Sequence, residues 1–212
     1  MPFSLRDLFA QIAAPGGNFV DLGCGAGHAL EAVANLFETR IGLDRSRVRL
    51  AARATELPDG CEFREADLNA RFPLDDAWAD AVLADQVIEH VVDPADFCRE
   101  IYRILCEGGV CVVTTPNIRS IKNLLHLVTS GHGPRTACGN TLDGSWDDGH
   151  LHYFTHNDLR ELFAGAGFAR VESRALIDLS GGSLLRRFLD RFAPTWPVRE
   201  FVSGNILLIA RK

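Results

Sequence analysis

No apolar run in this chain approaches the roughly 20 residues that a helix needs to cross a bilayer. The opening stretch, MPFSLRDLFAQIAAPGG, also lacks the layout of an export signal, because Arg6, Asp7 and Gln11 interrupt any apolar core. Its apolar positions Phe3, Leu8, Phe9 and Ile12 predict instead an amphipathic helix ending at Pro15-Gly16-Gly17. A cytoplasmic location is the expectation. Six cysteines are present, at 24, 61, 98, 106, 111 and 138, but none forms a Cys-x-x-Cys pair, so a zinc site is not expected. Without an export signal, disulfides are not expected either, and the cysteines read as small buried hydrophobes. Basic residues are not in excess: the formal net charge is −6, which excludes a broad electrostatic footprint for nucleic acid. There is no internal repeat and no low-complexity tract.

What is present is an ordinary globular composition, 47% hydrophobic and 24% charged over 212 residues. That length suits a single α/β domain over residues 1–212, long enough to bury a core. Apolar runs alternate with helical patterns. Strands are predicted at Asn18–Leu22, Arg40–Leu43, Cys61–Glu65, Asp80–Ala84 and Gly109–Thr115, and later at Val171–Ala175 and Ile206–Ala210. Helices are predicted over His28–Phe37, near Arg47–Thr55, and over Pro94–Leu105 with Phe97, Ile101, Ile104 and Leu105 inward. Alternation of this kind gives βαβ units, a parallel sheet and helices on both faces. Ligands of such sheets bind outside the carboxyl ends of the strands. The residues after each strand therefore matter most.

The first strand runs into Asp21-Leu22-Gly23-Cys24-Gly25-Ala26-Gly27. Glycines at alternate positions permit a sharp turn and close approach of a ligand to the backbone. The turn opens a helix, whose first amides are free donors. Asp44 ends the second strand, 19 residues beyond Gly25. That spacing suits an acid that accepts from ribose hydroxyls; a helix cap is the plainer alternative. Ala66-Asp67-Leu68 follows the third strand, where a carboxylate can accept from an adenine amino group and Leu68 can pack on the ring; a simple turn would look the same. Asp85-Gln86-Val87-Ile88-Glu89-His90 follows the fourth, and polar residues at a strand end suit the rim of a site.

Taken in order, VDLGCGAGH, IGLDRS, ADL, ADAVLADQVIEHVVDP and LCEGGVCVVTTPN resemble the class I S-adenosylmethionine-dependent methyltransferases. The detail is most similar to the branch holding the ubiquinone-biosynthesis O-methyltransferases and related small-molecule enzymes. The resemblance covers roughly residues 18–175 and the last strand. It implies a doubly wound, seven-stranded, mostly parallel Rossmann-like sheet with an antiparallel last strand. It also implies S-adenosylmethionine as cofactor and S-adenosylhomocysteine as product. Asp21, Gly23, Cys24, Gly25 and Gly27, with His28 beside them, would surround the methionine part of the cofactor. Asp44 would bind the ribose with Arg45 flanking the adenosine, Asp67 and Leu68 would hold the adenine, and Asp85 and Gln86 would line the floor. A nicotinamide-dependent oxidoreductase is the main alternative. Its G-x-G-x-x-G pattern, counted from Gly23, requires glycine where this chain has His28. A non-catalytic relative that keeps the fold is the other.

Residues 117–153 interrupt the alternation and read as a substrate lid or pocket wall, or as a solvated loop. Within them Ile118–Val128 is a predicted helix. They end at Gly149-His150-Leu151-His152-Tyr153-Phe154-Thr155, with Thr155 and Asp158 patterned as a capping box. His150 or His152 can take a proton from a hydroxyl acceptor as a neutral imidazole, or can simply shape the loop. No third ligand accompanies the pair, so no metal is expected. Residues 180–197 read as a helical elaboration, with Leu184, Leu185, Phe188, Leu189 and Phe192 on one face of Ser183–Phe192. That face suits packing on the core, a cover over the pocket, a dimer contact or peripheral contact with an acidic membrane. The partner expected is a small-molecule acceptor, with no nucleic acid.

Overall fold

The computed structural model describes residues 4–46, 59–130, 149–176 and 198–212. Seven strands form one sheet: β1 (Asn18–Leu22), β2 (Thr39–Asp44), β3 (Cys61–Glu65), β4 (Ala79–Asp85), β5 (Leu105–Pro116), β6 (Arg170–Leu176) and β7 (Asn205–Arg211). Their spatial order is β3-β2-β1-β4-β5-β7-β6. The first five run parallel to one another, and β7 lies antiparallel between β5 and β6. The doubly wound sheet with an antiparallel last strand is thus the observed fold. Strand order reverses between β1 and β4, which is where a cleft opens in such sheets.

Strand positions agree closely with the apolar runs. The start of β5 differs. Ala79 pairs with Leu105 but Ala81 pairs with Val110, so residues 106–109 bulge from the ladder with Gly108 at φ +79°. The strand therefore begins before the glycines that a sequence reading takes as its start.

Among the described residues, the α-helices are α1 (Leu5–Ile12), α2 (His28–Ala32), α3 (Pro94–Ile104), α4 (Ile121–Ser130) and α5 (His156–Gly165). Ser4 caps α1 through a bond from Asp7 N. Asp93 caps α3, accepting from Ala95 N and Asp96 N, with Pro94 in the first turn where no amide is needed. Thr155 and Asp158 form the expected capping box on α5. Two helices depart from expectation. The helical pattern after the glycine turn continues to Phe37, but α2 stops at Ala32 and turns follow. Beyond it, Arg40 Nη1 donates to the carbonyls of Ala34 (2.9 Å) and Phe37 (2.6 Å) and so holds the turns together. Val33 and Phe37 stay buried regardless. Helix α4 starts three residues late because Asn117 Oδ1 binds Arg119 N and Ser120 caps Asn123 N instead. It buries no side chain among the described residues. The helices expected near 47–55 and at 183–192, and residues 131–148 of the expected lid, lie outside the described residues.

Two apolar layers flank the sheet. One contains Ile41, Val82, Phe97, Ile101 and Phe163. The other contains Phe9, Phe19 and Phe37, with Phe9 edge-on to Phe19 at 5.2 Å between centroids. Cys24, Cys98 and Cys111 are buried free thiols, Cys61 and Cys106 are half-buried, and Cys138 is not described. No described helix is long and apolar enough to cross a membrane.

Phe19 lies in the middle of the aromatic cluster and is fully buried. Phe19→Ala is expected to cost about 3–5 kcal/mol in urea unfolding, the usual loss for a buried phenylalanine. A loss below about 1 kcal/mol would show that the cluster does not anchor α1 to the sheet.

Candidate active site

The cleft lies at the carboxyl ends of β1, β2, β3 and β4, with a volume of about 420 Å³. Among the expected cofactor residues, Gly23, Asp44, Arg45, Asp67, Leu68 and Gln86 line it. The glycine turn is built as its composition requires. Gly23 has φ +71°, and a Cβ there would stand 2.6 Å from Val87 Cγ2. Gly27 has φ +78°, and a Cβ there would strike the Phe63 ring at 2.7 Å. At Gly25 (φ +52°) a Cβ would meet nothing within 4 Å, so the turn leaves open space there. His28 opens α2 and is exposed; it is not among the cleft's lining residues.

Asp44 is buried, 6% exposed. Its Oδ2 accepts from Gly25 N at 2.9 Å and its Oδ1 from Ser46 N at 2.9 Å. The same carboxylate therefore makes a cap-like bond and fastens the glycine turn. Asp67 Oδ1 accepts from Asn69 N and Nδ2, so the local turn exists and the side chain still borders the cleft. Asn69 Oδ1 in turn holds Val92 N at 2.7 Å, which joins this turn to the loop after β4. Gln86 adopts φ +56° and is held by Thr114 through its backbone and side-chain nitrogens. Thr114 also donates to Asp85.

Asp21 lies beneath the cleft at the end of β1, 3% exposed. Burial holds its carboxyl well above the usual carboxylate range, and the charges of Asp85 and Asp44 push in the same direction. Burial, aided by Asp21 and Asp44, likewise pushes the Cys24 thiol up, so it is no nucleophile at neutral pH.

The strip from 149 to 154 crosses the open side. Glu89 O accepts from Leu151 N (2.8 Å) and His152 N (3.1 Å), and Gly149 and Leu151 border the cleft. The two candidate histidines separate. His152 turns its Nε2 toward Val92 O at 3.3 Å. His150 meets the His90 ring edge-to-face, 4.9 Å between centroids, and burial followed by the His90 charge holds it below its ordinary value. The sequence pairs His150 with His152 and offers no third ligand; the structure sets His150 beside two other groups instead. One ligand-type atom each of Glu89, His90 and His150 lies within 4.8 Å of the others. Sequence reasoning gave Glu89 only a place on a polar rim; it is 1% exposed. The apolar residues on either side of it were the available signal.

Residues 20–113 match a family described as a methyltransferase domain. A probable S-adenosylmethionine-dependent methyltransferase of Mycolicibacterium smegmatis is 38% identical over 92% of this chain and 72% of its own length. This chain belongs to the S-adenosylmethionine-dependent methyltransferases. A ubiquinone biosynthesis O-methyltransferase of Psychrobacter arcticus is 26% identical over 84% of this chain and 68% of its own length. The crystal structure of an S-adenosylmethionine-dependent methyltransferase from Mesorhizobium loti superposes with a TM-score of 0.65, covering 98% of this chain and 95% of that one at 22% identity. S-Adenosylmethionine is accordingly the methyltransferase's cofactor and S-adenosylhomocysteine its product. The residues present fit that cofactor: the turn leaves open space at Gly25, and the nearby carboxylates suit a sulfonium and an ammonium.

The raised carboxyl of Asp21 has a consequence for stability. The folded chain binds that proton more tightly than the unfolded chain, so stability present at low pH is lost as pH rises through the unfolded value toward the folded one. Asp21→Asn removes the charge. Without cofactor, it is expected to melt at a higher temperature than the parent at pH 7, the difference vanishing below about pH 4. Equal melting temperatures at pH 7 would show that the carboxylate carries no such penalty.

Proposed function

We propose that this methyltransferase transfers a methyl group to an oxygen or nitrogen of a small-molecule acceptor, with His150 as the base when the acceptor is a hydroxyl. The observation that carries this reading is a histidine held below its ordinary value beside a cleft lined by the cofactor residues. A neutral imidazole has a lone pair to receive a proton.

The cofactor supplies an electrophilic methyl group on a positively charged sulfur. The chain supplies position and electrostatics. Asp44 accepts from the ribose hydroxyls, and Asp67 with Leu68 holds the adenine. Asp21, Gly23, Gly25 and Gly27 surround the methionine end, with Asp85 and Gln86 as the floor. Arg45 flanks the adenosine. His152, engaged with Val92 O, shapes the strip. Ile118 N donates to Phe154 O at 3.1 Å, so the two ends of the expected lid meet, and its described end, with Gly149 and Leu151 bordering the cleft, is the side from which the acceptor enters.

Calorimetric titration is the first test. S-Adenosylhomocysteine should bind in the micromolar range while NAD gives no heat; binding of NAD alone would overturn the cofactor reading. Asp44→Ala should weaken S-adenosylhomocysteine by about 1.5–3 kcal/mol, the scale of hydrogen bonds to a charged group. Unchanged affinity would remove the ribose assignment. With labelled S-adenosylmethionine and a panel of hydroxyl and amine acceptors, His150→Ala should lower turnover of hydroxyl acceptors about 100-fold or more and leave S-adenosylhomocysteine affinity in place. Retention of turnover in His150→Ala would reject the base.

A further inference from the structure

Glu89 is not among the residues assigned to the cofactor, yet it is buried with one carboxylate oxygen served and one not. Oε2 accepts from Thr115 Oγ1 at 2.9 Å. Oε1 is buried without a hydrogen-bond partner. An unpaired buried carboxylate oxygen is costly, so its retention asks for a group that pairs with it in the working protein. Two imidazoles stand close enough: one atom from each of Glu89, His90 and His150 lies within 4.8 Å of the others. His90 Nδ1 is 3.2 Å from Gly149 O. A carbonyl only accepts, so Nδ1 carries the proton, and Nε2, which holds a lone pair in the neutral ring, meets Glu89 only through a further proton. The main chain of Glu89 also pins the strip that carries His150, through Leu151 N and His152 N.

We infer that Glu89 is a positioning residue whose free carboxylate oxygen pairs with the His90–His150 imidazoles, so that the three hold the acceptor's proton as one unit. This rests on the reading of His150 as the base. The balance is simple. The acceptor's proton passes to His150, and its lone pair forms the bond to the methyl carbon. The carbon–sulfur pair goes to sulfur. The imidazolium left behind is offset by the Glu89 carboxylate until the proton returns to water. Burial raises Glu89 and lowers His150, each toward its neutral form. Asp85 adds to the rise at Glu89, while Thr115 and His90 oppose it. His150 faces His90 and the Tyr153 ring, 6.1 Å between centroids.

The test needs no acceptor. Ring signals of His90 and His150 are followed by NMR across pH in the full chain with S-adenosylhomocysteine bound, and assigned with His90→Gln and His150→Gln. Both rings should report linked, two-step curves. Glu89→Gln, whose amide oxygen can still accept from Thr115, should lower the His150 midpoint by about one pH unit, the low end for loss of an adjacent opposite charge. Unchanged midpoints in a Glu89→Gln protein that still binds S-adenosylhomocysteine would overturn the proposal. If that variant does not fold, the wild-type curves decide: independent single-step titrations overturn it and linked curves support it. One-to-one binding of Zn²⁺ or Mg²⁺ that Glu89→Gln abolishes would also overturn it, since the oxygen would then be a ligand. A base assignment that fails through active His150→Ala leaves these curves as they are, so the two failures are distinguishable.

Discussion

Three carboxylates meet where β1, β2 and β4 end, and their mutual repulsion is the constraint around which the cleft is arranged. Asp21 is buried and feels both Asp85 and Asp44. The structure answers the repulsion in part through the backbone: Asp44 is held by two amides, and Asp85 by a threonine hydroxyl. Among the described residues, no hydrogen bond of that kind offsets Asp21. Its burial is a standing cost in the empty protein and a source of affinity when positive charge arrives. A parallel sheet makes this possible, because only the common carboxyl ends of adjacent parallel strands bring three acids so close from such different parts of the chain.

Much of this was legible in the sequence. The strands are apolar runs bounded by charge or glycine, and their positions needed little correction. The ends of α3 and α5 were legible because their caps are local, Asp93 with Pro94 and Thr155 with Asp158. α2 was misread because burial and backbone conformation part company there: Val33 and Phe37 are inward with helical spacing, yet the chain beyond Ala32 runs in turns. Asp44 was legible through its spacing from the glycines. That it would also tie Gly25 was not, because a hydrogen bond across 19 residues leaves no local pattern. The trio of Glu89, His90 and His150 was least legible, since about 60 residues separate its halves and a glutamate in a stretch with Asp85, Gln86 and His90 looks like a solvated rim.

The loop after β4 serves two masters. Through Val92 and Asn69 it is joined to the turn at Asp67, and through Glu89 it carries the strip from 149 to 154. The region assigned to adenine and the region assigned to the acceptor thus share one short piece of chain. A shift of that loop on cofactor entry would be felt at His150 without any contact between His150 and the cofactor, which is a physical basis for ordered binding.

The position of β7 bears on how the chain is made. It fills the gap between β5 and β6, so β5 has an unpaired flank until residues 205–211 arrive. That flank is the apolar run Val110-Cys111-Val112-Val113, all buried in the finished protein. On the ribosome it stands as an open edge while nearly a hundred further residues are synthesised, a template for pairing with other nascent chains. Premature termination ahead of β7 would therefore yield a sticky fragment rather than a smaller working enzyme.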